Sequence, residues 1–393
     1  MHVPPLAREL CLRVAEQGGR AYLVGGCVRD HLLGLAPKDI DIEVHGIGDL
    51  ERLLKPLGSL NAVGKSFGVF KLTRGGLELD VSMPRRDSKV GPGHKGIAVQ
   101  GDPDMGLDEA VRRRDLTINA LMYDPLTDEV VDRVGGLADL EARVLREVDP
   151  KTFAEDPLRA LRVVQFSARF DFDVAPSLQT LCREAELAEL PPERLRGELD
   201  KLLMKAPRPS VGLRWLGELG LAEKILPALN PDEDLAKVVD RAAALERSTE
   251  LMYAALFHRL DPATRADHLD RLRLIEKPTA RARLEAALAF GPPSREAWRR
   301  LADRADAPLT ARLRAAITGE DLAGLLAGLE AAGVAEGPLP VLLGGRELRD
   351  LGVAPGPDMG RLQRRVREAQ YAGAAEDPEG ARTLVRAWLE GDC

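Results

Sequence analysis

Asp39-Ile40-Asp41 sets two carboxylates two positions apart, shortly after Val24-Gly25-Gly26-Cys27-Val28-Arg29-Asp30. On an extended strand this spacing turns both acids to one side and sends Ile40 and Ile42 to the core. Two hard oxygen donors on one rigid face suit one or two Mg²⁺ ions. The residues before them suit an anion: Ala21 to Val24 reads as a short apolar strand, a double glycine follows, and Cys27 to Leu33 reads as a helix closed by Gly34. Such a strand, glycine and helix-start sequence presents backbone N–H groups to phosphate. A phosphate cradle beside metal-holding acids implies nucleotidyl or phosphoryl transfer. Leu77-Glu78-Leu79-Asp80-Val81 alternates, with Glu78 and Asp80 on one face. If that strand lies beside the Asp39 strand, Asp80 supplies a third carboxylate. The competing reading is a solvent-facing acid on an edge strand.

These groups need a scaffold, and 393 residues provide for about two to four compact units. Charges interrupt the apolar stretches, and Met1 to Gly18 carries Arg8, Glu9, Arg13 and Glu16, so neither a membrane span nor a secretory signal fits. The expected location is cytoplasmic. The four cysteines (Cys11, Cys27, Cys182, Cys393) form no Cys-x-x-Cys pair, and the six histidines form no close i, i+4 pair. Any metal is therefore expected on oxygen, as Mg²⁺ or Mn²⁺. A net charge of −7 argues against indiscriminate nucleic-acid binding. Local basic tracks remain: Arg85, Arg86, Lys89 and Lys95 around a glycine-rich loop, Arg112 to Arg114, and Arg361, Arg364, Arg365 and Arg367 on a C-terminal helix. Taken singly, each reads as a solvated face.

Between residue 20 and about 140, strand-like runs (Ala21 to Val24, Ile40 to Val44, Val69 to Leu72, Leu77 to Met83, Glu129 to Asp132) mix with helices at Asp30, Asp49 to Leu57 and Asp108 to Leu121. From about 141 the strand signal vanishes; Leu158 to Phe170, Arg194 to Met204, Ser210 to Leu219, Leu235 to Leu245 and Ser248 to Leu260 show helical periodicity. Gly291 to Pro293 and Gly333 to Pro340 mark soft boundaries. Arg85 to Gly106, with Gly91-Pro92-Gly93-His94, has little periodicity and is long for a connection, which suits a loop near the site acting as a mobile lid, or a stretch that has simply lost strand pairing.

Gly25-Gly26-Cys27-Val28-Arg29-Asp30, Asp39-Ile40-Asp41, Arg113-Arg114-Asp115-Leu116-Thr117-Ile118-Asn119-Ala120 and Glu155-Asp156-Pro157-Leu158-Arg159-Ala160-Leu161-Arg162 occur in that order, with Glu193-Arg194-Leu195-Arg196-Gly197-Glu198 after them. Together they resemble the class II tRNA nucleotidyltransferases of the polymerase-β-like superfamily. The resemblance implies an α+β fold: a nucleotidyltransferase head with a small mixed sheet and helices over residues 1–140, then an all-α neck (141–205), body (206–330) and tail (331–393). It implies catalytic Asp39, Asp41 and Asp80, with Asp39 and Asp41 as ligands of a two-metal Mg²⁺ site that Mn²⁺ can occupy. It assigns nucleotide binding to Gly25, Gly26, Arg29, Arg114, Asp115, Asn119, Asp156, Arg159 and Arg162.

Chemistry supports these assignments group by group. On the resemblance, Gly26 would approach triphosphate by its backbone and Arg29 by charge-assisted hydrogen bonds. Arg114 and Asp115 position the sugar and their own helix, and Asn119 reads as structural. On the resemblance, Asp156 and Arg159 would act as a protein template, accepting from the exocyclic amine of C or A and donating to ring acceptors. Asp156 before Pro157 also reads as a helix cap, and Asp156 with Arg159 as an i, i+3 ion pair. Arg162, one turn further, reaches phosphate or orients Arg159.

The implied activity is template-free addition of CCA to the tRNA 3′ acceptor end from CTP and ATP, releasing pyrophosphate. The alternatives are A-only addition, poly(A) polymerase, and a catalytically silent RNA-binding protein. The full-length stretch from Arg85 to Gly106 disfavours CC-only addition, and Val63-Gly64-Lys65-Ser66-Phe67-Gly68-Val69 resembles the tRNA enzymes. Phe257-His258-Arg259-Leu260 has arginine where a His-Asp phosphohydrolase needs aspartate, so no second hydrolase site is expected. No membrane partner is expected, and the sequence identifies no protein partner.

Overall fold

The computed structural model describes residues 1–37, 39–64, 69–89, 97–275 and 277–391. The chain divides into two compact units, Met1–Leu202 with Trp215–Ile225, and Leu203–Arg214 with Leu226–Cys393.

The strands of the first unit are β1 (Arg20–Val24), β2 (Asp41–His45), β3 (Ser59–Gly64), β4 (Val69–Arg74), β5 (Leu77–Ser82), β6 (Arg85–Lys89), β7 (Ile97–Gly101), β8 (Met122–Asp124), β9 (Glu129–Val131), β10 (Val144–Leu145) and β11 (Asp173–Val174). Its helices begin with α1 (Pro5–Glu16), α2 (Gly26–Leu32), α3 (Leu50–Leu54) and α4 (Leu107–Arg112). They continue with α5 (Gly136–Ala142), α6 (Pro150–Ala154), α7 (Leu158–Phe170), α8 (Pro176–Glu184) and most of α9 (Pro192–Lys205). One mixed sheet runs β3-β4-β5-β2-β1-β8-β9.

Period-two alternation sorts the two faces of this sheet. Ile42, Val44, Leu79 and Val81 are buried, while Asp41, Glu43 and Asp80 alternate with them. Tyr22, opposite Glu43, joins an apolar cluster with Val24, Val111, Ala120 and Met122, so apolar packing continues beside the acids on their own face. Helix α1 packs on β1 and buries Leu6, Ala7, Leu10, Cys11 and Val14, an i, i+3, i+4 stripe behind Pro5 at the first helical position.

Several expectations need correction. Strand β2 starts at Asp41, and Asp39 lies at a bend before it; Ile40 is half-exposed instead of in the core. The helix expected over Asp108 to Leu121 stops at Arg112. The Asp115 carboxylate accepts from the Leu116 N–H at 2.9 Å, and the Thr117 N–H donates to the Arg146 carbonyl at 2.9 Å, so local and cross-chain bonds take groups a helix would need. Only a 3₁₀ turn, Thr117–Asn119, follows. The expected loop of Arg85 to Gly106 contains an antiparallel ribbon, Arg85 opposite Gly101 through Lys89 opposite Ile97. A two-stranded ribbon outside the main sheet is held by backbone bonds and needs no alternating apolar face, which explains the weak signal. Gly91-Pro92-Gly93-His94, Lys95 and Lys65 to Gly68 lie outside the described residues. After residue 141 strands persist as the short parallel pair β10 and β11, too brief for a periodic pattern.

The second unit is helical among its described residues. Leu343, Leu348, Val353, Val366, Ala375, Ala381 and Val385 form an apolar cluster toward its C-terminal end. His258, half-buried, faces the Ala255 carbonyl through Nδ1 at 2.8 Å, and Arg259 is bound to Asp232. No described helix is long and apolar enough to cross a membrane.

Candidate active site

Strands β2 and β5 run parallel with Asp41 opposite Asp80 and Glu43 opposite Ser82. The Asp80 N–H donates to the Ile40 carbonyl at 3.0 Å, which locks the two acids abreast. Asp41 is exposed to solvent at the start of β2. Its carboxyl is nevertheless pushed above the ordinary carboxylate range, first by loss of surrounding water and then by the charge of Asp80; Asp39 adds to this and Arg114 opposes it. Asp80 itself lies 3.5 Å from the Lys71 ammonium.

Glu43, which the sequence reading missed, stands two positions after Asp41. Burial pushes its carboxyl up, but the His45 hydrogen bond at 3.1 Å and the Arg114 guanidinium at 3.3 Å outweigh burial and hold it below the usual value. The signal was present, since Asp39, Asp41 and Glu43 continue one i, i+2, i+4 series. Glu43 thereby fixes Arg114 over the acid face.

The glycine turn meets the same place. Gly25 has φ +71°, and a Cβ there would lie 3.0 Å from Arg114 Nη1. Its N–H donates to the Leu121 carbonyl at 3.2 Å, tying the turn to the segment after α4. Gly26 opens α2, and the next residue, Cys27, lies with its thiol near the Asp41 backbone and 3.2 Å from the Val24 carbonyl. Turn and acid strand are therefore adjoining.

Arg29 turns inward and is 3% exposed. Its guanidinium binds Asp30 at 2.9 Å through Nε, donates to the Asn119 side-chain oxygen, and stacks over Phe166 and Phe170 at 5.0 and 4.6 Å. Asn119 in turn donates to Asp115 at 2.9 Å, and Asp115 accepts from Arg162 Nε at 2.7 Å. Burial raises the Asp115 carboxyl, but Arg162 and Asn119 more than reverse this and hold it below its ordinary value. One polar chain thus links α2 to α7. In this conformation Arg29 does not reach outward, while Arg162, bound to Asp115, is still a third exposed.

Asp156 accepts from the Leu158 N–H at 3.2 Å, so the cap-like bond exists, although Pro157 holds the N-cap position. The alternative reading of an i, i+3 ion pair with Arg159 is not what forms. Asp156 pairs with Arg194 of α9 at 2.9 Å, while Arg159 donates to the Thr152 and Arg113 carbonyls at 2.7 and 2.8 Å. Helical spacing alone could not reveal these partners because both arise from tertiary packing.

Two carboxylates abreast, one of them destabilised as an anion by the other, form a charge arrangement that a divalent cation relieves. Mg²⁺ is commonly held by one or two carboxylates, with phosphate oxygens and water completing its shell. Among the described residues no group of three or more His, Cys, Asp or Glu side chains is arranged to hold a metal unaided. The donor set fits a divalent cation that takes its remaining oxygens from other donors.

Comparison with known proteins places this geometry in context. Residues 21–146 match the Poly A polymerase head domain, and residues 171–233 match the model described as a probable RNA and SrmB-binding site of polymerase A. The CCA-adding enzyme of Bordetella pertussis is 35% identical over 322 residues, covering 72% of this chain and 86% of that one. The multifunctional CCA protein of Methylobacillus flagellatus is 39% identical over 271 residues, 64% of each chain, so the match spans less than two thirds of that relative. The Bacillus stearothermophilus CCA-adding enzyme, solved with CTP, superposes over 100% of both chains with a TM-score of 0.75 at 24% identity, a likeness of fold.

Proposed function

The chain belongs to the class II tRNA nucleotidyltransferase family, that of the CCA-adding enzymes, and on that premise we propose that it adds C, C and A to tRNA 3′ ends from CTP and ATP. The reaction needs no nucleic-acid template and releases pyrophosphate. The observation that carries this reading is the junction of the glycine turn with the acid strand, where Cys27 adjoins the Asp41 backbone and Asp41 stands abreast of Asp80.

The family is polymerase-β-like and typically uses divalent metals. In this reading Asp39 and Asp41 hold a two-metal Mg²⁺ site, which Mn²⁺ can also fill, and Asp80 is the third carboxylate. Bound there, Mg²⁺ supplies charge stabilisation to the attacking 3′-hydroxyl and the leaving pyrophosphate. Gly25 and Gly26 seat the triphosphate by close backbone approach, with Arg114 held above them by Glu43. Arg29, Asn119, Asp115 and Arg162 support that turn from inside. Asp156 accepts from the amine of C or A while Arg159, preset by two carbonyls, donates to ring acceptors. U and G offer a carbonyl where the amine should be, leaving buried groups unpaired. Head (1–140) and neck (141–205) carry this chemistry, and body (206–330) and tail (331–393) hold the tRNA acceptor arm. The setting is cytoplasmic.

The test offers tRNAs ending before CCA, after C and after CC, with labelled CTP, ATP or both. CCA addition is supported by completion of all three. Addition of A alone, and only after CC, would establish the A-only reading; long A tracts on generic RNA with indifference to CTP would establish poly(A) polymerase. No incorporation would leave an RNA-binding protein.

A further inference from the structure

Lys71 of β4 stands directly opposite Asp80 of β5 in the antiparallel register. Its ammonium lies 3.5 Å from Asp80 Oδ1 and is also hydrogen-bonded to Glu78, two positions earlier on the same strand face. Arg114, the cation on the other side of the acids, is engaged with Glu43 at 3.3 Å. Sequence reading gave Lys71 no role, since only strand pairing brings it to the site.

We propose that Lys71 is a resident counter-ion of the catalytic face, shared between two acids, which gives up its contact with Asp80 when a divalent cation binds and stays on Glu78 alone. The inference rests on the metal assignment to Asp41 and its neighbours. An ammonium and a divalent ion cannot both sit against the same carboxylate without strong mutual repulsion. The Lys71 side chain is a third exposed, and its four-carbon stem can swing between neighbours at small cost. Glu78, farther along β5 from the Asp41 pair, already holds the ammonium by a hydrogen bond, so the contact with Asp80 can be given up without leaving the ammonium unpaired. Lys71 thereby offsets part of the Asp80 charge and lowers the affinity of the nucleotide-free protein for metal. Metal then binds best when a triphosphate brings additional negative charge.

The test is Mn²⁺ binding to the full-length, nucleotide-free chain, read from the electron paramagnetic resonance signal of free Mn²⁺. Lys71→Met should lower the Mn²⁺ Kd about threefold to tenfold. Lys71→Arg, which keeps the charge, should leave it within about twofold of the parent chain. Glu78→Gln, which leaves Lys71 only Asp80, should raise the Kd. In an Asp80→Asn background, Lys71→Met should have no effect. If Asp41→Ala releases Mn²⁺ while Lys71→Met leaves the Kd unchanged, or changes it equally without Asp80, the counter-ion role is overturned and the metal assignment stands. If Asp41→Ala retains Mn²⁺ as the parent does, the metal assignment fails and the counter-ion role falls with it.

Discussion

Asp156 reaches across to Arg194 of α9 at 2.9 Å, and its helical neighbour Arg159 is instead held by two backbone carbonyls. The proposed base-reading carboxylate is therefore oriented by the neck helix that follows it. Replacing Arg194 by Met removes a hydrogen bond to a charged group, worth about 1.5–3 kcal/mol, and lets Asp156 rotate. Incorporation of CTP and ATP over UTP and GTP should become about tenfold less selective. Single-turnover assays with each nucleotide measure this directly. Lower thermal stability with unchanged selectivity would reduce the pair to a structural tie.

The two metal-assigned aspartates should trade function against stability. Asp39→Ala and Asp41→Ala should each lower nucleotide transfer about a thousandfold or more. Asp41→Ala should also leave Tm unchanged or raise it, because the native Asp41 carboxylate suffers from lost water and from the charge of Asp80. Calorimetry beside the transfer assay checks both halves. An active variant, or one that unfolds at much lower temperature, would place Asp41 among structural acids.

Gly25 holds a conformation that side chains resist. At φ +71° alanine is strained, and its Cβ would also crowd Arg114 at 3.0 Å. Gly25→Ala should cost about 1–3 kcal/mol in stability. It should also raise the KM for CTP and ATP together, since the turn and Arg114 both serve the triphosphate. Urea unfolding and steady-state kinetics separate the two effects, and a variant that matches the parent in both would refute the cradle.

The acid strand and glycine turn were legible because they depend on local rules: a period of two, a double glycine, and a helix closed by Gly34. Leu158–Phe170 was legible for the same reason, as a strong periodic stripe. Partners across the fold were not. Arg194 for Asp156, Lys71 for Asp80 and Glu43 for Arg114 come from packing and strand register, which sequence spacing does not encode. Asp108 to Leu121 misled because its composition suits a helix, while Asp115 and a bridge between Leu116 and Glu147 draw the backbone elsewhere. The β6/β7 ribbon escaped notice because it has no place in the main sheet to impose alternation.

The buried link between Asp115 and Arg162 predicts how stability depends on pH. Asp115 accepts from Arg162 at 2.7 Å and from Asn119 and the Leu116 N–H at 2.9 Å, and its carboxyl is held below the ordinary value although burial alone would raise it. A carboxylate depressed in the folded state contributes stability that is complete above the unfolded pKa of about 3.9 and disappears as pH falls through the lower folded value. Asp115→Asn keeps the shape but leaves Arg162 without its counter-charge, which should cost about 3 kcal/mol between pH 5 and 8. Urea midpoints of parent and variant should therefore differ by a constant amount across that range and converge below about pH 4. A difference that widened toward acid, or a variant as stable as the parent at neutral pH, would show that this pair does not hold α7 to the segment after α4.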